Sequence, residues 1–303
     1  MINFLPLTLD YYEKYNKYWH LCSQHSMDYT FVNLWGWQEY SDLYCYFDEH
    51  LFWIKPNSFR NDIVNNISSV PIFWAPIGDW NAVQWQKEKN FNFGAILHRV
   101  PEKLAFLLEK NLSNRVKIEE DRNQFEYIYS KNELATLPGN RFHKKRNHVN
   151  KFKKIYEDIR YQNFNNVVIE DVLLLQDEWC KWHECANSPS LLAENFAINK
   201  VLSHWQHFPN LRGGALYVKE NLVAFSVGEK LKDNVLGVHF EKGHSAYKGV
   251  YQAMNTCFVQ KAGNDCIVVN REQDLGEEGL RHAKMSYLPI DFLHKYTVTI
   301  QPA

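Results

Sequence analysis

The sequence predicts an α/β protein organised as two domains. Short apolar runs alternate with helical patterns along the chain, which is the grammar of layered α/β folds. The 303 residues exceed an ordinary single domain and suit two of about 150 each. A hydrophobic content of 45% is enough for a sizeable core. The net charge is −1, from 34 basic and 35 acidic residues. No global field therefore steers the chain to nucleic acid or membrane, and any such contact must be a local patch.

In the first half, residues 10–25 read as a helix with Asp10 as N-cap. Residues 29–37 form an aromatic loop or short helix, and runs at 43–47 and 51–55 pair around a turn at Asp48, Glu49 and His50. Apolar strands are expected at 70–75 and 94–99, with a helix over 82–91 between them. Pro101 opens a helix to residue 111. Strands follow at 116–121 and 125–130.

The second half repeats the pattern. Helices are predicted over 169–185 and 194–208, then a hairpin from 215–219 to 222–229 and a third strand over 234–241. A glycine-bearing loop, 242–249, precedes a helix over 250–262. A buried strand at 266–269, a helix from Glu277 and a last strand at 296–300 complete the order. The expected boundaries are a first domain over 1–135, a basic interdomain helix over 136–160 and a second domain over 161–303.

Residues 134–156 carry Arg141, Lys144, Lys145, Arg146, Lys151, Lys153 and Lys154 with no acidic residue among them. Phe142, Val149, Phe152 and Tyr156 fall on one helical stripe, so the segment reads as an amphipathic basic helix. Its bases either grip an anion, such as RNA, a coenzyme or a lipid headgroup, or form a solvated face. Arg141, Lys144, Lys145 and Arg146 are the candidate anion-binding residues.

A second polar segment, residues 270–289, follows the strand at 266–269, and the carboxyl end of a core strand is where ligands collect in open α/β sheets. Its helix has a stripe of Leu280, Ala283 and Tyr287 that also takes in Lys284. An inward lysine needs a carboxylate or an anionic ligand. In the alternative reading Glu241 and Asp274 neutralise Lys284 and Arg281.

The six cysteines are scattered, with no disulfide framework. Cys180, His183 and Cys185 lie close together but lack a fourth ligand, so no metal site is expected. The amino terminus lacks a signal-peptide pattern, and no apolar run approaches the roughly 20 residues that span a bilayer. The expectation is a cytoplasmic chain without a transmembrane segment.

The order of elements resembles the acyltransferase fold of the GNAT superfamily, used twice. Segment 137–152, from Leu137-Pro138-Gly139-Asn140-Arg141, together with Asn270-Arg271-Glu272-Gln273-Asp274-Leu275-Gly276 through Ser286-Tyr287-Leu288-Pro289, resembles the phosphatidylglycerol lysyltransferase C-terminal-domain family. Phe31-Val32-Asn33-Leu34-Trp35-Gly36-Trp37 resembles that family's early motif. The resemblance implies two tandem GNAT-like domains with mixed central sheets, related to Fem-type aminoacyltransferases. It also implies transfer of an acyl or aminoacyl group to an amine or hydroxyl, such as a small molecule or headgroup. The donor would be a co-substrate, aminoacyl-tRNA or acyl-CoA, with tRNA contacting the basic helix and no tightly bound cofactor. Chemistry of that kind assigns Glu241 as base, with Lys284 and Tyr287 completing the catalytic set. Asn270, Arg271, Glu272, Asp274 and Arg281 would bind substrate. The alternative is a non-catalytic module of the same fold that binds an anionic nucleotide, RNA or lipid headgroup.

Overall fold

The structure, a computed structural model, describes residues 3–57 and 70–302. Alternation of strand and helix produces β1 (Leu5–Pro6), α1 (Tyr12–Leu21), α2 (Phe31–Gly36), α3 (Gln38–Ser41), β2 (Leu43–Phe47) and β3 (Leu51–Pro56). There follow β4 (Ile72–Trp74), β5 (Ile77–Gly78), β6 (Ala95–Pro101), α4 (Glu102–Leu112) and β7 (Val116–Glu120). Next come β8 (Glu126–Ser130), α5 (Lys131–Thr136), α6 (His143–Ile155), β9 (Ile159–Asn163), α7 (Asn166–Trp182) and α8 (Pro189–Ser203). The remainder is β10 (Leu211–Val218), β11 (Asn221–Lys230), β12 (Val235–Gly243), α9 (Val250–Lys261), β13 (Val268–Asn270), α10 (Glu278–Met285), β14 (Asp291–Leu293) and β15 (Lys295–Ile300).

The chain divides into two compact units, and it does not divide once. The first comprises Met1–Glu126, Gln273–Glu277 and Leu293–Ala303; the second comprises Tyr127–Glu272 and Glu278–Phe292. The expected cut between 135 and 161 therefore differs from the observed division. Helix α6, expected between domains, belongs to the second unit and buries Val149 and Phe152 in its core.

Among the described residues, the first unit has two sheets of four strands, in the orders β1-β2-β3-β5 and β4-β6-β15-β7. The second is mixed: β4 runs parallel to β6, and β15 pairs antiparallel with both β6 and β7. Alternating apolar residues mark β15 as a strand, but sequence alone does not say which sheet it joins, and it was expected in the second domain. The helix expected over 82–91 is instead two short 3-10 turns, Trp85–Lys87 and Lys89–Phe91. Glu88 is the reason: its Oε1 accepts from both the backbone N and Nδ2 of Asn90, at 2.9 and 3.0 Å. A local side-chain bond of this type competes with a helical ladder.

The second unit is built on a seven-stranded sheet in the order β14-β8-β13-β12-β11-β10-β9. Strands β9 to β12 are successively antiparallel, and β12 and β13 run parallel. Helices α5, α6 and α9 share one apolar core with this sheet, centred on Phe142, Phe152, Met254, Phe258 and Val269. Asn165 caps α7 by accepting from Val168 N at 3.0 Å, and Ser188 with Pro189 opens α8. Cys180, near the end of α7, is disulfide-bonded to Cys185, with Cα atoms 5.1 Å apart. That corrects the expectation of six unpaired thiols. Helix α7 stops at Trp182, so the chain turns back and brings the two together.

Candidate active site

Strands β12 and β13 pair over only three positions, Val235 with Val268, Leu236 with Val269 and Gly237 with Asn270. Beyond Gly237, β12 runs on to Gly243 after β13 has ended at Asn270. A parallel pair that parts at its carboxyl end leaves a crevice there, the usual ligand position in an open α/β sheet. A β-bulge makes the parting sharper. Val227 pairs with Phe240 and Gly228 with Val238, which leaves His239 as the extra residue on β12.

Glu241 lies on β12 past the bulge, and Arg271 directly follows β13. Arg271 Nη2 donates to Glu241 Oε1 at 3.3 Å. Glu241 Oε2 accepts from Ser226 Oγ on β11 at 3.3 Å and from Asn255 Nδ2 on α9 at 3.5 Å. The carboxylate is thus anchored from three elements. Tyr287 lies on the other side of the guanidinium, with Arg271 Cζ 5.1 Å from its ring centroid. Burial pushes the Tyr287 phenol up to about 12, against the opposing pull of Arg271, so it stays protonated at neutral pH. Lys145 Nζ from α6 sits 4.1 Å from the same ring centroid. Its amine is held below the usual range, first by burial and then by Arg271.

Lys284 is buried, as its position on α10 implied, but the stripe around it differs from expectation. Leu280 and Ala283 are exposed, and Lys284 and Tyr287 are the inward residues. The Lys284 amine donates to the Arg271 carbonyl at 2.6 Å and lies 5.7 Å from the Tyr127 ring centroid. Tyr129 Oη in turn donates to the Lys284 carbonyl at 2.8 Å. Lysine fixes the backbone of Arg271, and through it the aim of the guanidinium.

The remaining expected residues separate. Asn270 is buried and accepts from Glu272 N at 3.0 Å, closing the turn after β13. Glu272 has φ +58°, and its Oε1 is 3.2 Å from His239 Nδ1. Asp274 belongs to the first unit, where it accepts from Arg122 at 3.4 Å and from Gly276 N at 2.9 Å. Arg281 lies on α10, half-buried. Arg141 pairs with Glu133, and Arg146 Nη1 donates to the carbonyls of Leu137 and Gly139 at 2.5 and 3.0 Å. Those two arginines hold the turn before α6. Lys144 is exposed, and Lys145 faces Tyr287.

Sequence reasoning missed Ser226, Asn255, Tyr129 and His239. Each is polar at a position where an apolar residue would serve the core, and that was the available signal. His239 is enclosed, with Nε2 3.2 Å from Glu229 Oε2 as well as its contact with Glu272. Burial would push the imidazole down, but its hydrogen bonds to the two carboxylates outweigh that and hold it at about 9. The first unit contains a second unexpected network. Asp28 is enclosed and accepts from Arg99 Nη1 at 2.8 Å and Gln273 Nε2 at 3.1 Å, while Lys295 pairs with both Asp28 and Glu126. Burial would raise the Asp28 carboxyl, but Lys295 and Arg99 hold it below the usual range.

Known proteins match this arrangement along the chain. A conserved protein of unknown function from Bacteroides thetaiotaomicron is 29% identical, with a TM-score of 0.85, covering 99% of this chain and all of that one. The L-PGS structure from Bacillus licheniformis superposes with a TM-score of 0.62 at 11% identity, over 99% of this chain and 94% of that one, which shows a shared fold. An uncharacterised protein, MYCGA3080, of Mycoplasmoides gallisepticum is 25% identical over 174 residues; the match spans 57% of this chain and 56% of that relative. The mixed α/β fold is shared with the L-PGS structure and with a GNAT-family acetyltransferase from Colwellia psychrerythraea, which superposes with a TM-score of 0.51 at 8% identity over 99% of each chain. The family model for the phosphatidylglycerol lysyltransferase C-terminal region matches residues 19–299, and the chain belongs to that family.

Proposed function

We propose that the second unit transfers an acyl or aminoacyl group from an activated donor to an amine or hydroxyl, with Glu241 as general base. The observation that supports this most is the anchoring of Glu241 where β12 and β13 part, one oxygen on Arg271 and the other on Ser226 and Asn255. A carboxylate held from three sides keeps its position while it takes a proton. In the proposed step Glu241 accepts the acceptor's N–H or O–H proton as the acceptor lone pair attacks the donor carbonyl carbon. The developing oxyanion is stabilised by Arg271. The donor's C–O or C–S bond then breaks, and Tyr287 Oη protonates the leaving atom. The raised Tyr287 phenol suits that role, because it holds its proton until the leaving group demands it. Lys284 acts here by fixing Arg271. Asn270 and Glu272 shape the turn that presents Arg271, and Arg281 on α10 is assigned to substrate. Asp274 works within the first unit.

Aminoacyl-tRNA fits as donor better than acyl-CoA. In the loop before α9, Gly249 has φ +89°, and a Cβ there would lie 2.5 Å from the His148 carbonyl. That glycine serves the close approach of α6 to α9. The exposed lysines of α6, Lys144, Lys151 and Lys154, are the proposed tRNA contact.

The test is single-turnover transfer from aminoacyl-tRNA, and separately from acyl-CoA, to small amines, hydroxyls and headgroup analogues. Glu241→Gln should lower the rate by about a hundredfold or more with an unchanged circular dichroism spectrum. Undiminished turnover in that variant would remove Glu241 from the chemistry. A module that only binds would show ligand affinity with no turnover from any donor.

A further inference from the structure

Helix α7 ends in a chain reversal that a covalent bond holds. Cys180 lies in its last turn, Cys185 opens the 3-10 turn beyond it, and their disulfide joins positions only five apart. Glu184, inside that ring, has φ +49°, in the left-handed region that residues with a Cβ enter at a cost. Residues 181–184 are exposed and Cys180 is half-buried, so a small thiol reaches the bond. Accessible disulfides of this kind are the ones that exchange. The other four cysteines are thiols. Burial raises Cys45, Cys257 and Cys266 above the usual range, which keeps them protonated and slow to exchange.

The residues on either side of Cys180 are held differently. Trp179 is buried; its Nε1 donates to Tyr251 Oη on α9 at 3.4 Å, and Lys242 Nζ lies 3.8 Å from its ring centroid. Lys242 in turn pairs with Glu194 of α8 at 2.7 Å. Trp182 is exposed and rests on His244, with ring centroids 4.1 Å apart. His244 Nδ1 accepts from Ala246 N at 3.3 Å, within the loop that leads into α9. The disulfide therefore sits between a fixed tryptophan and one whose place depends on the reversal.

We propose that Cys180 and Cys185 form a reversible thiol switch that sets the order of the loop over residues 244–249. In the disulfide form the ring keeps Glu184 left-handed and Trp182 against His244. A dithiol reductant attacks Cys180 Sγ, the more exposed sulfur; the S–S bond breaks and Cys185 leaves as a thiolate. The reductant's second thiol then displaces Cys180 from the mixed disulfide. Two protein thiols and the oxidised reductant remain, the electron pair and both protons having come from the dithiol. Glu184 is then released from its left-handed conformation, the reversal loosens, and the Trp182 ring leaves His244. Trp179 stays in place, because its contacts with Tyr251 and Lys242 do not pass through the sulfurs.

The full chain is compared in oxidised form, after dithiothreitol, and after return to oxidised glutathione. Mass spectrometry of alkylated tryptic peptides reads the state of the pair, and amide hydrogen exchange reads the loop. Reduction should speed exchange over residues 244–249 by about tenfold or more, leave β12 and α9 unchanged, and reverse on reoxidation. The double variant Cys180→Ser, Cys185→Ser should exchange like the reduced protein with or without reductant. Trp182→Ala should free the same loop while the disulfide is intact, and Cys257→Ser should respond as the wild type does. A bond that survives dithiothreitol in the folded chain would overturn the switch. So would equal loop exchange in both states, or faster exchange throughout the second unit on reduction, which is the mark of a structural staple.

Discussion

His239 has no solvent contact and two carboxylate neighbours, Glu229 and Glu272, so its proton belongs to the folded state. An unfolded imidazole titrates near ~6.5, whereas this one is raised to about 9. A group whose folded value is raised contributes fully below the unfolded value and loses its contribution as pH rises through the folded one. We therefore expect about 3 kcal/mol of stability to be present below pH 6.5 and to disappear through pH 9. Chemical denaturation across that range checks it, and His239→Gln should flatten the profile. A buried pair in the first unit gives a second expectation. Lys295→Met leaves Asp28 and Glu126 enclosed without their shared cation. Breaking a buried pair in that way costs about 3–5 kcal/mol, measurable as a lower urea midpoint with an unchanged slope. Single residues were partly legible in the sequence. Lys284 was foreseen as inward, because its place on the α10 stripe required it, and one of its bonds runs to a backbone carbonyl. No spacing rule points to a main-chain oxygen.

Elements were read best where periodicity was long. Strands β2, β3, β10, β11 and β12, and helices α4 and α9, fall within a few residues of their expected positions, since alternation and amphipathic stripes are local signals. The shortfalls have local causes of another kind. Glu88 turned a helix into two 3-10 turns, and the short α5 and β14 leave too few residues for a period to show. The site inherits the same limit. Its crevice depends on β13 ending three residues into its pairing with β12, and a strand's pairing length is a tertiary property. Between elements, Gly249 is the tightest point. Gly249→Ala would put a Cβ against the His148 carbonyl at a positive φ. We expect a loss of at least about 1 kcal/mol, seen as a lower melting temperature, and altered loop contacts ahead of α9.

At the scale of the whole chain, length and composition led to an expected division around residues 135 and 161, whereas the two compact units interleave along the sequence. Composition and length speak to how many cores a chain can fill, but they do not report how often the backbone passes from one to the other. Here it passes repeatedly: residues 273–277 and 293–303 return to a unit otherwise made from residues 1–126. One return segment contains β15, which occupies an inner place between β6 and β7. During synthesis the ribosome must therefore release Ile300 before that sheet has its middle. The amino-terminal unit, although translated first, is completed last. Neither unit can be cut out as one continuous fragment, and a gene truncated before Lys295 would leave β6 and β7 as two unjoined edges.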